Sequence, residues 1–133
     1  MIIYFDSGVI IYLYDHTGSF HTRALARLQA AEQAGDTTAV SDLSRLECRV
    51  GPMLAKDAAK LAVFDSFFAR SDVIKVPITT AVFDRATLLR ATYRFKTADA
   101  LNLAAAIEGG CDCFLTNDVK LKACTDLPVE LLP

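Results

Sequence analysis

Four acidic residues, distant along the chain, occupy positions where a carboxylate can do chemistry: Asp6 in MIIYFDSGVII, Glu47 in SDLSRLECRV, Asp99 in TADALNLAAAIEGG and Asp118 in CDCFLTND. Asp6 follows a short apolar run, Met1-Ile2-Ile3-Tyr4-Phe5, of the kind that forms a strand buried on both faces of a parallel sheet. In open α/β sheets ligands bind beyond the carboxyl ends of the strands, so an acid placed there is a functional candidate. It is equally a candidate helix N-cap, as is Ser7. Asp99 interrupts the apolar segment Ala98 to Ile107, where a charged group rarely survives unpaired. Its bland alternative is complementing a helix dipole, worth ~0.3 to 1 kcal/mol. Asp118 reads as a site acid or as half of an Asn-Asp turn. Glu47 reads as a site acid or a solvated helix residue. For Asp99, Asp118 and Glu47 the bland reading is the stronger one taken singly, and for Asp6 the two are even; four acids falling on one sheet edge is what points to a site.

Such a gathering has an electrostatic consequence. Two unit charges ~4 Å apart repel by about 4 kcal/mol at an effective dielectric of ~20, and a divalent cation removes that cost. Hard oxygen donors favour Mg2+ or Mn2+, while no clustered His or Cys points to zinc. Magnesium held by few carboxylates keeps waters and open positions, which suits a phosphate-bearing substrate. His16 and His21 read as surface residues, since Gly18 breaks any helix they would share. The four cysteines, Cys48, Cys111, Cys113 and Cys124, lack CxxC pairing and read as small core residues in a reducing compartment, with Cys111 and Cys113 on the same face of one strand.

The elements that must position these acids alternate between strand and helix. After the first strand, Val9 to Tyr14 is a short helix, and a second helix, capped by Ser19, stops at Gly35. Thr37 to Ser41 is the second strand. From Asp42 a helix is expected with Leu43, Leu46, Val50 and Leu54 inward, kinked or split at Gly51-Pro52. Asp57 to Arg70 continues with Leu61, Phe64, Phe67 and Phe68 on its apolar side. Those phenylalanines read as core, or in part as the lining of a groove for a partner. Asp72 to Pro77 is a third strand near a sheet edge. A helix from Thr79 to Tyr93 follows, with Val82, Ala86, Leu89 and Tyr93 inward. Thr97 is the expected cap of a buried helix, Ala98 to Glu108, ended by Gly109-Gly110. Cys111 to Thr116 is a fourth strand, Val119 to Cys124 a short helix, and Val129 to Leu132 a fifth strand. This pattern predicts a three-layer α/β/α domain, residues 1–133, around a parallel sheet of about five strands with right-handed crossovers.

At 133 residues, 53% hydrophobic and 23% charged, the chain suits one globular domain. No apolar run approaches the ~18 residues of a membrane span and the N-terminus lacks signal-peptide features, so the expected compartment is the cytoplasm and no membrane partner is expected. The formal net charge of −2 gives no overall basic footprint. Local cations remain available for phosphates: Arg90, Arg94 and Lys96 lead into the Asp99 helix, and Arg45 and Arg49 flank Glu47. Ordinary solvated helix charges are an equal reading of them.

The segments YFDSGVII, SDLSRLECRV, TADALNLAAAIEGG and CDCFLTND, in this order and spanning almost the whole chain, resemble those of PIN-domain proteins, in particular the toxin ribonucleases of VapC type. The resemblance implies a sheet ordered 3-2-1-4-5 and a Mg2+- or Mn2+-dependent endoribonuclease, the toxin of a toxin-antitoxin pair, neutralised by an antitoxin protein and often a homodimer. By match to the motif, Asp6, Glu47, Asp99 and Asp118 are the acidic quartet, with Ser7 and Thr116 as supporting hydroxyls. Metal would be held chiefly by Asp6 and Asp99. One departure is that Val119-Lys120-Leu121 follows Asp118 without the further acid many relatives carry. Two other acid-pocket folds fit less well. A receiver domain wants an acid after the third strand, where Pro77-Ile78-Thr79 stands, and a haloacid-dehalogenase phosphatase wants an Asp where Gly8 stands. A non-enzymatic or inactive α/β binding module, its acids serving as caps and turns, is the remaining alternative.

Overall fold

A computed structural model describes residues 1–15 and 18–133; His16, expected as a surface histidine, lies outside the described residues. The elements run β1 (Ile2–Phe5), α1 (Ser7–Tyr14), α2 (Gly18–Ala34), β2 (Thr37–Ser41), α3 (Asp42–Leu54), α4 (Ala58–Phe68), β3 (Val73–Val76), α5 (Thr80–Tyr93), α6 (Thr97–Glu108), β4 (Cys113–Thr116), a 3-10 turn (Val119–Ala123) and β5 (Val129–Leu131). All strand pairs are parallel, in the order β3-β2-β1-β4-β5. The sheet order, the central place of β1 and the edge place of β3 are therefore as expected.

Alternation along β1 feeds two cores, because successive side chains of a strand face opposite sides of the sheet. Ile3 and Phe5 pack with Val9, Ile10, Phe64 and Phe67 under α1, α2 and α4. Tyr4 packs with Phe114, Leu89 and Leu103 under α5 and α6. The alanine-rich middle of α6, Ala104 to Ala106, is fully buried, which lets that helix lie close on the sheet. Among the described residues no helix is long and apolar enough to cross a membrane.

Several expectations are corrected, among them Ser19, which lies inside α2 rather than capping it. The inward face of α3 is not Leu43, Leu46, Val50 and Leu54: Leu46, Val50 and Leu54 are exposed, and Ser44, Cys48 and Pro52 are buried instead. Pro52 does not split the helix: α3 runs through to Leu54, and the break comes at Lys56, whose φ of 54° is left-handed. Thr97 is the first helical residue of α6 rather than its cap, which is Lys96 without a side-chain bond. Cys111 precedes β4, so the chain has not yet entered the strand's alternation there. It packs on the α5–α6 core while Cys113 packs on the opposite one. All four cysteines are free. His21, expected on the surface, is half-buried with Nδ1 3.0 Å from the Tyr12 carbonyl oxygen.

Candidate active site

Asp6 follows β1 and caps α1, the N-cap role that its position allowed. Its Oδ1 accepts from the Ser7 N–H at 2.9 Å, and its Oδ2 accepts from the Thr116 hydroxyl at 2.7 Å. Ser7, expected to contribute a hydroxyl, thus reaches the site through its backbone. Thr116, at the end of the neighbouring β4 and fully buried, also accepts from the Asp118 N–H at 3.1 Å. One hydroxyl therefore ties two of the acids together by chain geometry alone.

Asp6 is only 8% exposed. Burial pushes its carboxyl up to about 6; the Thr116 hydrogen bond opposes this, and the charges of Asp99 and Glu47 add to it. Asp99, in the first turn of α6, is also raised, chiefly by burial and then by the charge of Asp118, with Lys96 and Lys120 acting in the other direction. Electrostatic neighbourhood thus links all four acids: Glu47 and Asp99 act on Asp6, and Asp118 acts on Asp99. Asp6 and Asp118 follow β1 and β4, Glu47 comes on α3 after β2, and Asp99 comes on α6, which follows the helix α5. Among the described residues, however, no three His, Cys, Asp or Glu side chains stand close enough to grip an ion together.

The acids line three hollows. A cavity of about 410 Å³ is walled by Asp6, Tyr12, Thr116 and Asp118. A second, of about 320 Å³, holds Asp99 and Asp118 with Arg94, Lys96, Lys120 and Tyr93. A third, also about 320 Å³, runs from Glu47 along Cys48, Pro52, Ile11 and Phe64. Asp118 is the partition between the first two. Its carboxylate also caps the 3-10 turn by accepting from the Lys120 N–H, the turn role that its sequence context allowed.

The cations divide. Arg45 and Arg49 pair with Asp65 of α4, at 3.8 and 2.8 Å, and Arg90 donates to the Phe95 carbonyl. Arg94 and Lys96 line the hollow beside Asp99, together with Lys120, which the sequence reading passed over. That reading also passed over Asn102, which donates to Glu47 Oε1 at 2.8 Å and accepts from the Tyr4 hydroxyl at 2.7 Å. The available signal was an amide three residues after Asp99 in an otherwise alanine- and leucine-rich helix.

The chemistry of the donors, carboxylate oxygens, is that of a hard divalent cation's ligands, although among the described residues no three of them are gathered around one point. The nearest sulfur, Cys48, has its thiol pushed up to about 12 by burial and by Glu47 and Asp6, so it is no thiolate ligand.

No curated protein sequence matches the chain. Among solved structures, the chain is similar to VapBC2 from Rickettsia felis bound to a promoter DNA fragment, at 19% identity and a TM-score of 0.78 over 100% of both chains. It is similar to a toxin-antitoxin complex from Klebsiella pneumoniae, at 21% identity and a TM-score of 0.70 over 94% of each chain. A third is VapC20 from Mycobacterium tuberculosis, described as a sarcin-ricin loop cleaving toxin, at 17% identity and a TM-score of 0.69 over 84% of this chain and 86% of that one. At these identities the likeness is one of fold. The sequence model of the PIN domain, however, matches residues 3–126, nearly the whole chain and all four acids, and on that match this chain belongs to the PIN domain family.

Proposed function

We propose that residues 1–133 act as one PIN domain that hydrolyses RNA phosphodiesters in the cytoplasm with Mg2+ or Mn2+, as the toxin of a toxin-antitoxin pair. The observation that carries the reading is Asp6: a carboxyl buried at the centre of the sheet edge, raised to about 6, with Asp99 and Glu47 as its charged neighbours. A fold tolerates such a group where a cation or substrate repays it. The fold neighbours, one a toxin named for RNA-loop cleavage and others toxin-antitoxin complexes, support the same assignment.

Asp6 and Asp99 would hold the ion, with Asp118 completing the acidic wall. Bound there, the cation supplies Lewis-acid chemistry, acidifying water and neutralising charge on the phosphoryl oxygens. The Ser7 N–H and the Thr116 hydroxyl fix both oxygens of Asp6. Glu47, half-exposed and held by Asn102, orients the attacking water and accepts its proton. Arg94, Lys96 and Lys120 contact RNA phosphates along the adjoining hollow. By analogy with such nucleases, water attacks phosphorus, the P–O3′ bond breaks, the 3′ oxygen leaves with a proton, and the ends are 5′-phosphate and 3′-hydroxyl.

The test is metal-dependent cleavage of total RNA. Asp99→Asn is expected to abolish cleavage while circular dichroism stays that of the parent; undiminished cleavage by this variant would refute the assignment. An inactive binding module is the second reading, favoured by the absence of a preformed three-ligand group among the described residues. A divalent-ion titration that leaves thermal stability unchanged would select it. The antitoxin partner is proposed to use the exposed α3 face of Leu46, Val50, Met53 and Leu54 and the adjoining hollow at Phe64. Co-expression with a neighbouring small reading frame and co-purification tests this, and light scattering of the purified chain tests the homodimer.

A further inference from the structure

We propose that Tyr4 and Asn102 form a buried brace that positions the Glu47 carboxylate, an inference that rests on the nuclease reading of the site. The Tyr4 hydroxyl lies 2.7 Å from Ser41 Oγ, 3.0 Å from Ser44 Oγ and 2.7 Å from Asn102 Oδ1. All four residues are at most 1% exposed. A phenol has one proton to give and two lone pairs to accept with, and the surroundings decide how they are used. Ser41 Oγ accepts from the Ser44 N–H and Ser44 Oγ from the Ser41 N–H, closing the capping box of α3. Each serine keeps its own proton, with the Tyr4 oxygen and the other serine's Oγ, at 3.4 Å, within reach of it. The tyrosine proton goes to Asn102 Oδ1.

That bond occupies one end of the amide. On its other side Asn102 Nδ2 meets two groups that only accept, Glu47 Oε1 at 2.8 Å and the Ala98 carbonyl oxygen at 3.3 Å. Reversing the amide would face oxygen to oxygen at Glu47 and at the Ala98 carbonyl, and these two acceptors hold Nδ2 on their side. The network leaves no group over: among the described residues no buried side-chain polar atom is unpartnered.

The brace joins the elements whose relative placement the reaction needs. Ser41 and Ser44 start α3, which carries Glu47 one turn later. Asn102 lies one turn beyond Asp99 on α6. Tyr4 lies two residues before Asp6 on β1. A single phenol oxygen thereby registers the helix of Glu47 against the helix of Asp99 from the strand of Asp6. Partners that orient a ligating or catalytic carboxylate typically cost about 10–100-fold in affinity or activity when removed. Tyr4 and Asn102 are positioning residues in this account, since neither reaches the reacting atoms.

The experiment uses the full chain with Tyr4→Phe, Asn102→Leu and Glu47→Gln, and Leu89→Ala as a core-destabilised control. Two readouts are taken: the side-chain NMR resonances of Asn102 (15Nδ2) and Glu47 (13Cδ), and kcat and KM for Mn2+-dependent cleavage of a single-stranded RNA. Glu47→Gln is expected to move the Asn102 amide pair, and Tyr4→Phe to move both the Asn102 and the Glu47 resonances. Asn102→Leu is expected to lower kcat about 10–100-fold with KM within twofold, while Leu89→Ala keeps kcat within twofold. Should Asn102→Leu fail to fold, Tyr4→Phe, which retains the ring and its packing, carries the test. Resonances of Asn102 and Glu47 that ignore Tyr4→Phe and each other overturn the brace, as do both variants cleaving within twofold of an active parent. A parent that does not cleave RNA overturns the nuclease reading, and the brace then stands or falls on the resonances.

Discussion

Asp6 is under two opposing demands, and their conflict is measurable. Its carboxyl is raised from 3.8 to about 6, so the folded state prefers the protonated form. The stability linked to this group is fully present below the unfolded value of 3.8 and is lost as pH rises through about 6. Two pKa units correspond to roughly 3 kcal/mol, the upper bound on what ionised Asp6 costs the ion-free fold at neutral pH. Asp6→Asn removes that cost and keeps an acceptor for the Ser7 N–H. In chelator, Asp6→Asn is expected to unfold at higher urea than the parent above pH 7, with the gap closing through pH 6 and vanishing near 3.8. Denaturation curves at several pH values check it. Equal midpoints at pH 8 would mean that the site tolerates the charge without an ion. The sequence makes the residue visible, as an acid ending an apolar run. It does not make its protonation visible, because the shift comes from burial and from neighbours that are distant along the chain.

At the scale of elements, α3 is where sequence and structure part. Leu43, Leu46, Val50 and Leu54 repeat at helical spacing, and such a stripe normally faces the core. Here the opposite side is turned inward because the start of α3 is held by the Ser41–Ser44 box and its Tyr4 link, which puts Cys48 and Pro52 against the α1–α4 core. A polar anchor sets the helix's rotation, and a periodicity argument cannot see it. Leu54→Lys, at an 81% exposed position, is accordingly expected to change the stability of the isolated chain by no more than about 0.5 kcal/mol, whereas Phe64→Ala should cost about 3–5 kcal/mol. If α3 were rotated as its leucines suggest, Leu54→Lys would be the damaging change. The end of α6 was more legible: Gly109-Gly110 marks the stop. The structure adds why the first glycine is needed, since a Cβ there would fall 2.8 Å from the Ala105 carbonyl oxygen and from both Val76 γ-methyls. Gly109→Ala is expected to cost about 1–3 kcal/mol through this overpacking between α6 and β3, read as a lower urea midpoint with an unchanged slope.

Over the whole molecule the placement of the acids is legible in the sequence and that of the cations only in part, Arg94 and Lys96 lying beside Asp99 as their place before α6 allows. Strand order follows from the alternation of elements and from the resemblance, and once β1 is central every acid that follows a strand arrives at one edge. Which lysine or arginine faces that edge depends instead on helix rotation and on ion pairs across elements, so Arg45 and Arg49, adjacent to Glu47 in sequence, turn to Asp65, while Lys120 comes beside Asp99 from the far end of the chain. With a net charge of −2, RNA is not drawn in by the molecule's overall field, and attraction must come from the few cations at the hollow. Each single-strand phosphate neutralised contributes roughly 0.7 to the slope of log affinity against log salt. In the cleavage-dead Asp99→Asn background with Mg2+ present, Lys96→Ala with Lys120→Ala should weaken RNA binding and flatten that slope by about 1.4, two phosphates' worth. Arg45→Ala with Arg49→Ala should leave the slope as it was. Fluorescence anisotropy of a labelled single-stranded RNA over a salt series separates the two: flattening by the arginine pair rather than the lysine pair would move the RNA path from the Asp99–Asp118 hollow to the α3–α4 face.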